Sequence, residues 1–209
     1  MTDLRAIDST QPAADTRDRL LAAAVEVLEA GGYRASSVAA IAERAGLATG
    51  TLYRHFASKA DLFVEVFRVV AEQELVEMRQ AAGATQTAGE ELDAVVATFA
   101  ARALSRPRLA WALVYEPLDP AVDAQRIAYR REYSRLLAAF VRARVEGGEL
   151  PDQDPDTTAA ALVGAIVEAL VSPLAPVAGG NADPDAVIEA LTAFCRRAIG
   201  AEASVGSSS

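Results

Sequence analysis

Apolar positions recur along this chain almost everywhere at helical spacing. Leu20, Leu21, Ala24, Val25 and Leu28 share one face of a helix expected from about Thr16 to Ala30, and Gly31-Gly32 end it as helix C-termini prefer. Val38, Ile41, Ala42 and Ala45 repeat at i, i+3, i+4 and i+7. That spacing predicts a short second helix, capped by Ser36 or Ser37 and stopped by Gly46. Leu47 reads as a buried turn residue, and a third short helix covers about Thr49 to Phe56. Ser58-Lys59-Ala60-Asp61 has the form of a capping box that opens a long helix with Leu62, Phe63, Val66, Phe67 and Val70 inside. Past Gly83 to Gly89, Leu92, Val95, Val96 and Phe99 mark a helix over about 90–105. Pro107 and Pro117 bracket a short one holding Trp111 and Tyr115, and further helices are expected at about 121–146, 156–172 and 184–199. Period-2 alternation is absent, so the expected fold is all-α with about nine helices.

Charge narrows what such a fold can meet. The 209 residues carry a net charge of -9, but residues 1–60 hold seven basic and seven acidic side chains and are neutral. The remainder, with 13 basic and 22 acidic residues, supplies all of the excess. An acidic body cannot bind nucleic acid at large, so a polyanion must be met locally by the N-terminal part. The one cysteine, Cys195, excludes an intrachain disulfide, and with the one histidine, His55, it cannot build a zinc site. No metal or cofactor is expected, and a reducing cytoplasm is the simplest location. The start MTDLRAIDSTQPAAD has neither a basic region nor a long apolar stretch, so it does not read as a signal peptide. Residues 157–176 are nearly all apolar, yet Glu168 sits mid-segment, Pro173 and Pro176 close it and no basic residue flanks it. That favours a helix buried on all sides by protein over a membrane span. Phosphate loops, dinucleotide glycine patterns and nucleophile elbows are absent, so an enzyme is not expected.

The helices expected at 37–45 and 49–56, joined at Gly46-Leu47, have the spacing of a helix-turn-helix, whose second helix enters the DNA major groove N-terminus first. Thr49 can bond a base edge or touch a thymine methyl. Gly50 lets backbone approach the duplex, and Thr51, Tyr53 and His55 offer polar groups to phosphate. Leu52 and Phe56 point inward, while Arg54 and Lys59, the one lysine, add positive charge at the flanks. The helix beginning at Ser58 presents N–H groups to a phosphate. Spacing alone leaves a second reading open, because two short helices around a glycine occur in many all-α proteins.

Residues 16–67 resemble the N-terminal domain of the TetR/AcrR family of bacterial transcriptional regulators. The likeness rests on Val38-Ala39-Ala40-Ile41-Ala42, Ala45-Gly46-Leu47, Gly50-Thr51-Leu52-Tyr53-Arg54-His55-Phe56 and Ser58-Lys59-Ala60-Asp61-Leu62. It implies that Ser37, Thr49, Tyr53 and His55 lie at DNA, with Tyr53 and Lys59 on phosphates. Ala48 stands where the family often has a capping Ser, and Thr49 where Lys or Arg is frequent. Base readout is therefore expected to be weaker or directed at thymine. The resemblance divides the chain into an arm (1–13), a DNA-binding domain (14–60), an effector-binding and dimerisation body (61–200) and a tail (201–209).

In the body the resemblance is one of architecture only. It implies a homodimer on a palindromic operator, released by a small-molecule effector, with repression the family's usual sign. Leu162, Ile166 and Leu170 on one apolar helix, with Val187, Leu191 and Phe194 on the last, are the expected dimer interface; the alternative is that both helices are core. Trp111, Tyr115, Tyr129, Tyr133, Leu137 and Phe140, joined by Phe67 and Phe99, suit an apolar effector site or an ordinary core. Arg126 shares the face of Tyr129 and Tyr133, and either pairs internally, for example with Glu116 or Asp119, or faces an anionic ligand. The competing function is a helical adaptor that binds only protein.

Overall fold

The computed structural model describes residues 12–85, 87–176 and 183–201. Those residues form helices α1 (Pro12–Ala35), α2 (Val38–Arg44), α3 (Thr49–His55), α4 (Lys59–Ala82), α5 (Ala88–Ser105), α6 (Pro107–Val114), α7 (Pro120–Glu146), α8 (Pro155–Ala169), α9 (Val171–Leu174) and α10 (Pro184–Ala198), with no strand among them. Ten segments stand where nine were expected, because the stretch at 156–172 divides at Leu170 into α8 and the single turn α9. Of the expected arm, residues 1–11 lie outside the described residues, and Pro12 and Ala13 already belong to α1. Of the expected tail only Ala201 is described, and it is buried.

The described residues form two compact units: one from the stretches 12–71 and 108–126, the other from those within 72–107 and 127–201. A boundary at 60/61 would cut the first turn of α4, which continues unbroken to Ala82. The first unit is built on the apolar positions legible in the sequence. Leu20, Leu28, Ile41, Leu52 and Leu62 are fully buried, with Phe63 and Val66 almost so. Burial of such side chains stabilises by about 1.5–3 kcal/mol each. Gly32 interrupts α1 with φ 73° and ψ -177°, a conformation open essentially to glycine. The buried Ser36 hydroxyl donates to the Gly32 carbonyl at 2.7 Å and closes the kink.

In the second unit α10 packs along α5, and α8 touches both α10 and α9. Thr87 and Glu90 make a reciprocal capping box at the start of α5. Helices α8 and α10 each open with Asp-Pro: Asp154 and Asp183 accept backbone N–H bonds while Pro155 and Pro184 occupy the first turn. Arg102 pairs with Glu74 at 2.8 Å, and Arg196 pairs with Asp93, so α5 is fastened to α4 and to α10.

Pro155–Leu174 is long and apolar enough to cross a membrane, with mean hydropathy 1.7. Burial on all sides, expected from its composition, is not what this chain provides. Leu162, Ile166 and Leu170 are buried, but Ala160, Ala161, Gly164, Glu168 and Ala169 are exposed. Its neighbours within the chain cover one face, and small residues line the other.

Candidate nucleic-acid interface and effector cavity

The turn before α3 is set by backbone chemistry. Gly46 has φ 66°, its N–H donates to the Glu43 carbonyl, and the Leu47 N–H donates to the Ala42 carbonyl, both at 2.9 Å. This is the paired-bond ending that a left-handed glycine permits. Arg19 donates to the Ala45 carbonyl at 2.8 Å and complements the negative end of α2. At the other end of α2, Ser37 is the cap, accepting from the Ala40 N–H at 3.1 Å. Ala48 gives α3 no side-chain cap.

Helix α3 then divides cleanly. Leu52 and Phe56 are buried, whereas Thr49, Gly50, Tyr53 and Arg54 are exposed, Tyr53 by 55%. Thr51 and His55 are half-buried. A Cβ added at Gly50 would meet nothing within 4 Å, so backbone is open to an incoming surface there. Among the described residues, no hydrogen bond or ion pair holds the side chain of Thr49, Thr51, Tyr53, Arg54 or His55. The far end of the helix is clamped instead. Arg17 lies over the Phe56 ring at 5.2 Å and pairs with Glu65 at 2.6 Å. Hydrogen bonds from Arg68, with those of Arg17, bring the Glu65 carboxyl down to about 2.

Lys59 is turned to a different task from its neighbours on α3. Its ammonium donates to the Tyr33 carbonyl at 3.1 Å and sits 4.1 Å from the centre of the Tyr33 ring. Burial lowers its pKa, opposed by the charge of Asp119. The Tyr33 N–H in turn donates to the Glu116 carboxylate at 2.8 Å, and Arg108 donates to the Ala30 carbonyl at 2.8 Å. Arg126 donates to the carbonyls of Leu113 and Glu116, each at 2.8 Å, and pairs with Asp123 at 3.0 Å. Residues 108–126 are thus wired to the end of α1. Trp111 and Tyr115 stack on each other at 4.9 Å within this unit, and Phe67 is buried in it.

The second unit contains a cavity of about 170 Å³ between three helices. Leu75, Met78, Arg79 and Ala82 of α4 line it, with Glu91, Leu92 and Val95 of α5 and Tyr133, Leu136, Leu137 and Phe140 of α7. Of the nine residues proposed from sequence for an effector site, Tyr133, Leu137 and Phe140 meet here. Phe99 lies behind, 6.4 Å from the Tyr133 ring, and the Tyr129 hydroxyl stands 3.4 Å from Glu72. Phe67, Trp111, Tyr115 and Arg126 do not line this cavity. Burial raises the pKa of Tyr133, so it remains a neutral donor. Arg79 escaped sequence reading, although Leu75, Met78, Arg79 and Ala82 have i, i+3, i+4, i+7 spacing, the same signal that singled out Arg126.

The residues expected at a dimer interface separate as well. Leu162, Ile166, Leu170 and Leu191 are buried in their own chain, and a side chain already enclosed has nothing to offer a partner. Val187 is half-buried, and Phe194 is 46% exposed. Phe194 shares a face of α10 with exposed Ala190 and Arg197.

A family model described as bacterial regulatory proteins, tetR family, matches residues 20–66. A second, described as tetracyclin repressor-like, C-terminal domain, matches residues 85–171. The HTH-type transcriptional activator FasR of Mycolicibacterium smegmatis is 36% identical over 88 residues, 42% of this chain and 40% of that protein. The HTH-type transcriptional repressor KstR2 of Rhodococcus jostii is 27% identical over 145 residues, 68% of this chain and 71% of that protein. The chain spans about two fifths of the length of curated relatives such as FasR. The solved transcriptional regulator FadR from Bacillus subtilis, in complex with stearoyl-CoA, aligns with TM-score 0.74 at 23% identity, over 85% of this chain and 96% of that one. At that identity the likeness is one of fold.

Proposed function

Since the chain belongs to the tetR family of bacterial regulatory proteins, we propose that it is a cytoplasmic transcriptional regulator that reads a near-palindromic DNA operator as a homodimer and is released by a small apolar or amphipathic effector. The observation that carries this reading is the open face of α3: Thr49, Gly50, Tyr53 and Arg54 are exposed and unpaired while Leu52 and Phe56 anchor the helix from behind. In this reading Thr49 meets a base edge, and Ser37, Thr51, Tyr53, Arg54 and His55 meet phosphates. Lys59 supports them by fixing Tyr33. A gel shift with the DNA upstream of the chain's own gene tests it. Retardation that survives competitor DNA supports the reading, and its absence favours a protein-binding adaptor.

The homodimer is supported by the uncovered face of α8 and α10. Ala161, Gly164 and Glu168 face outward on one, and Ala190, Phe194 and Arg197 on the other. Small residues let two helices approach closely, and a two-fold arrangement would pair this patch with itself. Light scattering at micromolar concentration checks the expected dimeric mass.

The effector reading rests on the α4–α5–α7 cavity and on a relative of like fold whose solved structure holds an acyl thioester. Helix α7 carries both Arg126, which holds the end of α6, and the cavity residues Tyr133, Leu137 and Phe140. An effector that binds the DNA-incompetent arrangement more tightly shifts the population away from DNA. Repression is the proposed sign, as in KstR2; the alternative is activation, as in FasR. Expression of a reporter behind the operator, with and without the regulator, decides between them.

A further inference from the structure

We propose that Glu116 is a positioning residue for the reading helix. Its carboxylate is a latch between the corner that joins α6 to α7 and the kink of α1, and it couples the state of that corner to the reading face. This rests on the reading of α3 as the element that meets DNA.

The latch begins at the break in α1. Gly32, at φ 73°, turns the chain out of helical geometry, and the Tyr33 N–H donates to a side chain 83 residues away, the Glu116 carboxylate, at 2.8 Å. A Cβ at residue 32 would lie 2.5 Å from Glu116 Oε1, so the carboxylate occupies the space that glycine leaves open. The Tyr33 carbonyl is taken as well, by Lys59 at the first residue of α4 and by the Ser36 N–H at 3.2 Å. One residue is thus held through its N–H by the α6–α7 corner and through its C=O by the start of α4. Ser36 leads directly into Ser37, the cap of α2, and α2 packs on α3. The kink therefore sets where the reading pair begins.

The other end of the latch is tied to α7. Arg126 donates to the carbonyls of Leu113 and of Glu116 itself, and it pairs with Asp123. Burial, joined by the charge of Asp119, raises the pKa of the Tyr33 hydroxyl, which puts a second acid of the corner beside the same residue. Arg126 stands on a helix that runs unbroken from Pro120 to Glu146 and also carries Tyr133, Leu137 and Phe140. A turn or slide of α7 draws on Arg126, then on the corner, then on the bond from Tyr33 to Glu116. Packed elements exchange between discrete arrangements rather than deforming continuously. A charge-assisted hydrogen bond made in one arrangement and lost in the other supplies the energy difference that coupling needs. Coupling is reciprocal: if the corner alters operator affinity, operator binding alters the corner.

Trp111, the one tryptophan, stacks on Tyr115 beside Glu116 and so reports the corner. Full-length wild type, Glu116→Ala and Glu116→Gln are titrated with a duplex of the DNA upstream of the chain's own gene while Trp111 emission is followed. Bound operator is expected to shift the wild-type emission. Glu116→Ala should bind about tenfold more weakly and, at saturation, lose most of that shift. Glu116→Gln keeps an acceptor of the same length for the Tyr33 N–H and should restore the shift. Glu116→Asp, one methylene shorter, serves where Glu116→Ala does not fold, and should lose the shift too. A merely structural Glu116 would lower the melting temperature and leave the shift at saturation intact. An intact shift in the folded variant therefore overturns the latch, as does wild-type emission that ignores bound operator. Amide hydrogen exchange needs no DNA: Glu116→Ala should speed exchange at Tyr33 and across α2 while leaving α5 and α10 unchanged. Unchanged exchange at Tyr33 overturns the latch. A wild type that never binds the duplex sinks the reading of α3, and the exchange result still decides whether Glu116 holds the kink.

Discussion

The face of α3 and the cavity between α4, α5 and α7 are built on opposite rules. On α3 the polar side chains Thr49, Tyr53 and Arg54 are left without partners and two buried residues hold the helix in place. In the cavity it is apolar side chains that border a gap, and Glu91 in its lining is paired with Arg144. A surface meant for a hydrated polyanion can leave polar groups in water at no cost until the partner arrives. A site for an apolar body must instead leave a gap in packing, which costs stability until it is filled. The difference predicts where each kind of substitution should be felt.

The largest effect is expected where the reading face meets its core. Leu52→Ala removes the buried anchor of α3 and should cost about 2–5 kcal/mol, abolishing operator binding together with the folded baseline in a thermal melt. Next is the kink. Gly32→Ala places a Cβ 2.5 Å from Glu116 Oε1 at φ 73°, and strain of about 1–3 kcal/mol should lower the melting temperature. Adding Glu116→Ala should restore part of the loss but not all, because the backbone strain remains.

A smaller effect separates two cations of the first unit. Arg54→Ala should weaken DNA binding by about 1 kcal/mol and reduce the salt slope by about one, without changing the melt. Lys59→Ala should do the reverse, lowering stability by about 0.5–1 kcal/mol through loss of its place over the Tyr33 ring while leaving the salt slope alone. If Lys59→Ala flattens the salt slope, its ammonium reaches phosphate after all.

The smallest concerns acid. The Glu65 carboxyl is held at about 2 in the folded chain against an ordinary 4.5. A depressed carboxylate contributes stability that is fully present above the ordinary value and is lost as pH falls toward 2. Glu65→Gln should therefore lower the melting temperature most near neutrality, least near pH 2, and so flatten its fall between pH 4.5 and 2.

The same contrast explains what could be read from sequence. The reading unit was legible because each of its decisions is local: Val38, Ile41, Ala42 and Ala45 mark a face, Ser37 caps, Gly46 turns, and Leu52 with Phe56 fixes which side of α3 faces out. The setting of Lys59 is not legible locally, because the carbonyl it donates to, that of Tyr33, is 26 residues away. The body was less legible. An all-apolar helix such as α8 does not reveal which side its own chain covers, and the burial of Leu162, Ile166 and Leu170 is visible only in the packed chain. Aromatics likewise do not say whether they line a gap or fill one: Tyr133 and Phe140 line the cavity, while Trp111 packs on Tyr115. The Asp-Pro pairs at 154–155 and 183–184 were available signals for helix starts.

The most direct test is a footprint of the purified protein on the DNA upstream of its gene, with the wild type and a Thr49→Ala, Tyr53→Phe double variant compared at equal salt. Two protected half-sites are predicted, related by a two-fold axis and centred about 34–36 Å apart or at a multiple of that spacing. The double variant should lose the pattern while remaining a folded dimer. Protection of a single half-site, or a pattern that the double variant reproduces unchanged, would contradict the assignment of α3 as the element that reads DNA.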